Sequence, residues 1–128
     1  MTAGVSAVNL ANKWLDMLAG TAFTAPAAFW VKLHTGDPGS AGANNASAVV
    51  TRQQVTWSAA SGGSKSQASA PTAWSMTTTE TITHVSFWDA STSGNFLDSA
   101  ALSVSRSVIN GDTVTLNTLT IAFTPIAA

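Results

Sequence analysis

The sequence predicts a mainly β protein: an antiparallel β-sandwich or jelly-roll-like barrel of about seven or eight strands, with one N-terminal α-helix. Residues 81–97 (TITHVSFWDASTSGNFL) alternate in polarity around a Ser- and Gly-rich turn, which is typical of a β-hairpin. More short alternating stretches, separated by turn residues, follow from Phe29 onwards. Only residues 6–19 carry helical apolar spacing, and the lack of later helical patterns argues against parallel crossover units.

The predicted helix covers residues 6–19. Ser6 is suited to cap its start and Gly20 to end it. A helix of about fourteen residues is marginal alone, so it must pack on something. Its apolar stripe either covers the β domain of the same chain or docks on a neighbouring subunit. The residues of this stripe are the candidate partner contacts: Val8, Ala11, Trp14, Leu15 and Leu18.

The chain is expected to divide into an N-terminal helix and connector, residues 1–28, and a single β-sandwich domain, residues 29–128. The first strand is predicted at residues 29–35 (FWVKLHT). Further strands are expected within residues 48–60 and at 73–76, and the segment 61–70 between them is either a loop or a weakly patterned strand. Exposed loops supply the other candidate contacts: Asp37, Asn44, Asn45 and Lys65.

Beyond the hairpin, separate strands are predicted at residues 100–108, 113–116 and 119–123. Asn110-Gly111 favours a two-residue hairpin turn between the first two of these. Pro125 is expected to end regular pairing. The tryptophans are expected to supply much of the core: Trp14, Trp30, Trp57, Trp74 and Trp88.

Composition limits the classes of function. Charged residues make up 9% of the chain, against about 25% in ordinary soluble domains, and the net charge is −1. A chain with so few cations and a slightly negative net charge is not expected to bind nucleic acid or an anionic membrane. A surface with so little charge repulsion favours a protein that is covered in an assembly. No apolar run approaches the ~20 residues of a membrane span, and the N-terminus lacks the pattern of a secretory signal.

The sequence predicts no catalytic, metal or cofactor site. His34 and His84 each share a strand face with a tryptophan, so hydrogen-bonded, half-buried roles are expected for both. A metal triad with Asp89 is conceivable, but nothing in the spacing selects for it. Asp89 and Asp98 flank the hairpin, where a role in the turn explains them as well as a glycosidase pair does. No serine sits in a nucleophile elbow, and an enzyme is therefore not expected.

Exposed tryptophans provide one alternative to a purely structural interpretation. Trp30, Trp57 or Trp74 could form a stacking platform for sugar rings. In a chain without tyrosine, however, tryptophan is also needed to fill the core, and core packing is the favoured role.

Several stretches resemble short virion proteins of tailed bacteriophages. They are LHTGDPG at residues 33–39, Arg52, VTWSAASGG at 55–63, Pro71 with Trp74, and THVSFWDASTSGNFL at 83–97. From about Phe29 onwards the chain is similar to proteins from phages of actinobacteria and related hosts that are labelled tail fibre, minor tail or head decoration proteins. The resemblance implies a β-rich structural protein that oligomerises and has no catalytic activity. It transfers no established site residue.

Together these observations predict a bacteriophage virion protein that is assembled in the host cytoplasm. A free-standing chain of this length has no shaft or coiled coil with which to extend from a tail, so head decoration is the expected role. In that role a homotrimer binds the outer capsid surface and cements neighbouring capsomers. The alternative is a minor tail or tail-fibre-like protein, or a tail-tip adhesin whose loops, residues 36–47 and 61–70, contact host surface glycan. The expected partners are further copies of the chain and major capsid or tail proteins.

Overall fold

The computed structural model describes residues 3–123, and it confirms a mainly β fold with one N-terminal helical segment. A single π-helical turn, Ala7–Ala11, continues into the α-helix α1, Asn12–Leu18. We call these two pieces together the N-terminal helix. The strands follow in the order β1 Phe29–His34, β2 Gln53–Trp57, β3 Ser64–Ser69, β4 Trp74–Ser75, β5 Glu80–Trp88, β6 Phe96–Val108, β7 Thr113–Val114 and β8 Thr120–Ala122. Among residues 3–123, no helix is long and apolar enough to span a membrane.

Six of the strands form one antiparallel sheet in the order β6-β5-β1-β2-β3-β8, which curls into a half-barrel. The strands β4 and β7 form a separate two-stranded sheet. The edges of the half-barrel are therefore β6 and β8. Because every pairing is antiparallel, β6 starts and β8 ends at the same end of the half-barrel.

One face of the large sheet forms the hydrophobic core. Odd-numbered residues of β1 point to this face, as the alternation in FWVKLHT predicts. Phe29 stacks on Phe87, with ring centroids 5.1 Å apart, and meets Trp57 edge-on at the same distance. The buried residues of this core are Val31, Leu33, Val55, Trp74, Met76, Ile82, Val85, Phe87 and Val108.

The opposite face of the large sheet is polar and aromatic, and we call it the second face. It carries Trp30, Lys32 and His34 from β1, which lie opposite Trp88, Ser86 and His84 of β5 in the strand register. The loop after β1 covers part of this face. A side chain at Gly42 would collide with the Phe96 ring, and the backbone there has a φ of +68°, so glycine is required.

The predicted hairpin is present, because β5 and β6 pair on either side of the turn at residues 89–95. The separate strand predicted from residue 100 is wrong, since β6 runs without interruption from Phe96 to Val108. Asp98 and Ser99 interrupt the apolar pattern and hide this continuity. A bulge lies further along the strand, where Thr83 stands alone against residues 102–105 of β6.

The turn at Asn110-Gly111 forms, with a φ of +94° at Gly111, but the predicted pairing across it does not. The next strand, β7, pairs with β4 instead of β6. Two backbone hydrogen bonds direct the chain there: Gly111 N donates to Met76 O at 2.9 Å, and Met76 N donates to Asp112 O at 2.8 Å. A two-residue turn signal carries no information about such a distant partner.

Two other expectations have clear outcomes. The Ser-rich segment 61–70 contains a strand, β3, and not only a loop. The core role of the tryptophans holds fully for Trp74, which is 1% exposed and donates from Nε1 to Thr51 O at 2.8 Å. The other four tryptophans are only partly buried. Pro125 lies outside the described residues.

Candidate functional site

The N-terminal helix lies across one end of the half-barrel. Ser6 caps it as predicted, accepting a hydrogen bond from Asn9 N at 3.3 Å. The side chain of Asn9 donates to Phe96 O at 2.8 Å, and Leu10 is buried. These contacts attach the start of the helix to the start of β6.

The second half of the helix reaches the other edge of the sheet. Trp14 meets Phe123, which follows β8, edge-on with ring centroids 5.4 Å apart. The helix therefore bridges the edge strands β6 and β8 of its own chain. This arrangement agrees with the prediction that the helix covers an open end of the β domain.

Most residues of the predicted apolar stripe do not pack against the β domain and remain exposed. Val8 is 74% exposed, Leu15 63% and Leu18 81%, whereas Ala11 and Trp14 are partly buried. Leu15 and Leu18 stand three residues apart in α1 and so share one side of the helix. Met17 is also exposed, but it stands two residues from Leu15 and so points to another side of the helix. We call Val8, Leu15 and Leu18 the outer helix face; the docking role of this face stays a prediction.

Three of the four candidate loop contacts lie in the loop after β1, and the fourth lies on β3. Asp37 and Asn45 hold their own loop together: Asp37 Oδ1 accepts from Gly39 N at 2.8 Å, and Asn45 Nδ2 donates to Asp37 O at 2.9 Å. The backbone oxygen of Asn44 accepts from His34. Lys65 lies on β3 and not in a loop, and its side chain is exposed. Asp37, Asn44 and Asn45 thus stabilise the loop after β1 through hydrogen bonds, although Asn44 and Asn45 are also exposed.

The histidines have the hydrogen-bonded roles that the sequence predicts, but His34 is fully buried. Its Nδ1 lies 2.8 Å from Asn44 O, and its Nε2 lies 2.7 Å from Ser86 Oγ. A carbonyl oxygen only accepts, so Nδ1 carries the proton and Nε2 of the neutral ring accepts from Ser86. Ser86 in turn accepts from Trp88 Nε1 at 2.8 Å. Burial lowers the pKa of His34, while the hydrogen bond to Asn44 opposes the shift.

This Ser86–His34 pair has the spacing of a nucleophile and its base, but Ser86 is completely buried and out of reach of a substrate. The carboxylates of the hairpin are likewise engaged in the fold. Asp89 accepts from Asn95 N and Nδ2, both at 2.7 Å, and Asp98 accepts from Ser99 N at 2.7 Å. Burial raises the pKa of Asp98. Among residues 3–123, no group of three or more metal-ligating side chains comes together.

The sugar platform suggested for the tryptophans does not form from those three residues. Trp74 is buried, and Trp57 packs on Phe29 at the core face. Trp30 lies on the second face, opposite Trp88. Sequence reasoning missed the cations beside Trp30, namely Lys32 and Arg52. The alternation of β1 places Lys32 with Trp30, but only the strand register brings Arg52 next to them.

Comparison with known proteins gives one family. A family model described as Podophage GP4 fiber I protein gp80 matches residues 4–124, a range that includes the N-terminal helix and strands β1 to β8. A search of curated proteins found no match.

Proposed function

Since the chain belongs to the family of podophage GP4 fiber I protein gp80, we propose that it is a fibre subunit of a phage tail, anchored to the particle through its N-terminal helix. Membership of this family makes the chain a structural phage protein and a component of the virion. The fibre assignment is carried by the family match, which extends over nearly the whole chain.

The anchor is assigned to residues 1–28 because the helix already has one face attached and one face free. Asn9, Leu10 and Trp14 fasten it to the edges of the half-barrel. The outer helix face leaves large apolar side chains in water, where burying each in an interface gains about 1.5–3 kcal/mol. Exposed apolar patches of this kind mark protein–protein contacts. The proposed partner is a neighbouring virion subunit, and the fibre is expected to contain several copies of the chain.

The test replaces Leu15 and Leu18 with aspartate and measures incorporation into particles by quantitative mass spectrometry. Both side chains are exposed, so the free energy of unfolding should change by no more than about 0.5 kcal/mol per site. Incorporation should fall by at least about tenfold, since two charges in an apolar interface cost several kcal/mol.

The matched control is Lys13→Asp, which changes the net charge by two units, as the double variant does, at an exposed position on the other side of the helix from Leu15. This variant should be incorporated like the wild type. Full occupancy of the double variant would show that the outer helix face contacts no other subunit and would overturn the anchor.

Head decoration, the role expected from the sequence, stays a prediction, as do the homotrimer and the actinobacterial host.

A further inference from the structure

Two cationic side chains lie side by side on the second face of the sheet. Val31 of β1 pairs with Gln53, the first residue of β2, and one further step in this register sets Lys32 beside Arg52, which directly precedes β2. The charge of Arg52 acts on Lys32, in agreement with this placement. Both side chains are partly buried. The chain has only five lysines and arginines in 128 residues, so two neighbouring cations use a large part of its positive charge.

This arrangement costs stability. Like charges placed opposite each other on adjacent strands repel. Burial lowers the pKa of Lys32, and the charge of Arg52 lowers it further. Burial also lowers the pKa of Arg52, against which Asp89 acts in the opposite direction. Among residues 3–123, no hydrogen bond involves the Lys32 ammonium group, so its donors remain available to a ligand.

Arg52 is held in place and still has donors to spare. Its guanidinium lies 3.8 Å from the centre of the Trp88 ring, and its Nη1 donates to Ala90 O at 2.8 Å and to Ser93 O at 2.6 Å. A guanidinium has five N–H donors in a fork that matches carboxylate and phosphate oxygens. Trp30, opposite Trp88, lies next to the pair and offers a ring on which a sugar can stack.

We propose that Lys32 and Arg52, together with Trp30, form a binding site for the carboxylate or phosphate group of an acidic polysaccharide. An anion between the two cations removes their repulsion, and this gain is available only to a charged ligand. The site is on the second face of the sheet and shares no residue with the outer helix face. The choice of a host polysaccharide as the ligand rests on the proposed function, because a fibre subunit meets the polysaccharides of the host surface.

The experiment measures binding of the purified full chain to three polymers: polygalacturonate, polyglycerol phosphate and neutral dextran. The wild type should bind at least one acidic polymer, with an affinity that falls as salt rises, and should not bind dextran. Polygalacturonate and polyglycerol phosphate separate a carboxylate ligand from a phosphate ligand.

The variant Lys32→Met removes the charge but keeps most of the side-chain length. It should lose at least about tenfold in affinity for the acidic polymer while melting at the same temperature as the wild type or higher. The control Lys13→Met removes an exposed lysine from α1 and should bind within about twofold of the wild type.

Equal loss in both lysine variants would show attraction by net charge alone and would overturn the site, as would a wild type that binds no acidic polymer better than dextran. A lower melting temperature in Lys32→Met would identify the lysine as structural and would also overturn the proposal. Virion incorporation does not enter this assay, so these failures leave the proposed function intact.

Discussion

At the residue scale, His34 is fully buried on the second face, and both of its ring nitrogens have a hydrogen-bond partner. Its ring connects the loop after β1, through Asn44 O, to Ser86 on β5. Both ring nitrogens are used, one as donor and one as acceptor, so only the neutral ring satisfies the whole network. Burial is the main cause that lowers the pKa of the ring, and the neighbouring titratable groups Lys32 and His84 act in the same direction.

This network predicts a loss of stability on acidification. Burial holds the pKa of His34 below the value of about 6.5 expected in the unfolded chain, so the unfolded state takes up a proton first as the pH falls. The stabilising contribution of the neutral ring is complete above about pH 6.5 and is lost progressively below it. Urea unfolding of the wild type should therefore give a lower free energy at pH 5.5 than at pH 7.5.

The variant His34→Gln isolates this effect, because its amide can still donate to Asn44 and accept from Ser86 but does not titrate. It should be less stable than the wild type at pH 7.5, by about 1–3 kcal/mol, and should show a weaker dependence on pH. An identical pH dependence in the two proteins would assign the acid sensitivity to other groups.

At the element scale, the N-terminal helix depends on a short backbone strap that precedes it. Gly4 and Ser6 extend the sheet beside β6: Ser6 N donates to Leu97 O at 2.7 Å, and Ser99 N donates to Gly4 O at 3.0 Å. The Ser99 hydroxyl also accepts from Gly4 N at 3.0 Å. The strap thus fixes the start of the helix beside β6 through hydrogen bonds that do not involve the apolar side chains of the helix.

Substitution of Ser99 by valine tests this dependence. The change leaves Gly4 N without its acceptor and should lower the free energy of unfolding by about 1–2 kcal/mol, with faster hydrogen exchange in residues 4–10. The control Ser103→Val lies on the same strand beyond the strap, with an exposed side chain, and should change neither property. Unchanged exchange in Ser99→Val would mean that the other contacts, those of Ser6 N, Asn9, Leu10 and Trp14, hold the helix without the Ser99 hydroxyl.

The helix and the hairpin illustrate what local sequence can predict. Ser6, Gly20 and the turn at residues 89–95 are short-range signals, and each appears where it is expected. The strap and the pairing of β7 with β4 depend on backbone groups far apart in the chain, which no side-chain pattern encodes. The Lys32–Arg52 site was missed for the same reason, because strand register sets it and not spacing within one strand.

At the scale of the whole molecule, the half-barrel leaves one long edge partly open. Beyond Ser99, the backbone of β6 pairs only with β5 among the described residues, and a groove of about 910 Å³ lies between β6 and residues 112–120. The bulge opposite Thr83 and the exposed Arg106 are features that blunt such an edge against uncontrolled strand pairing. A chain of low net charge with a blunted edge and an exposed helix face is suited to ordered attachment through the helix.

The copy number of the chain in the particle distinguishes a fibre subunit from a protein of the shell or the tail tube. We would determine its copy number in purified virions by quantitative mass spectrometry against the major shell protein. A fibre subunit should be present in a small number of copies, set by the symmetry of the tail. A copy number comparable with that of the major shell protein would place the chain on the head lattice or along the tail tube and would contradict the fibre assignment.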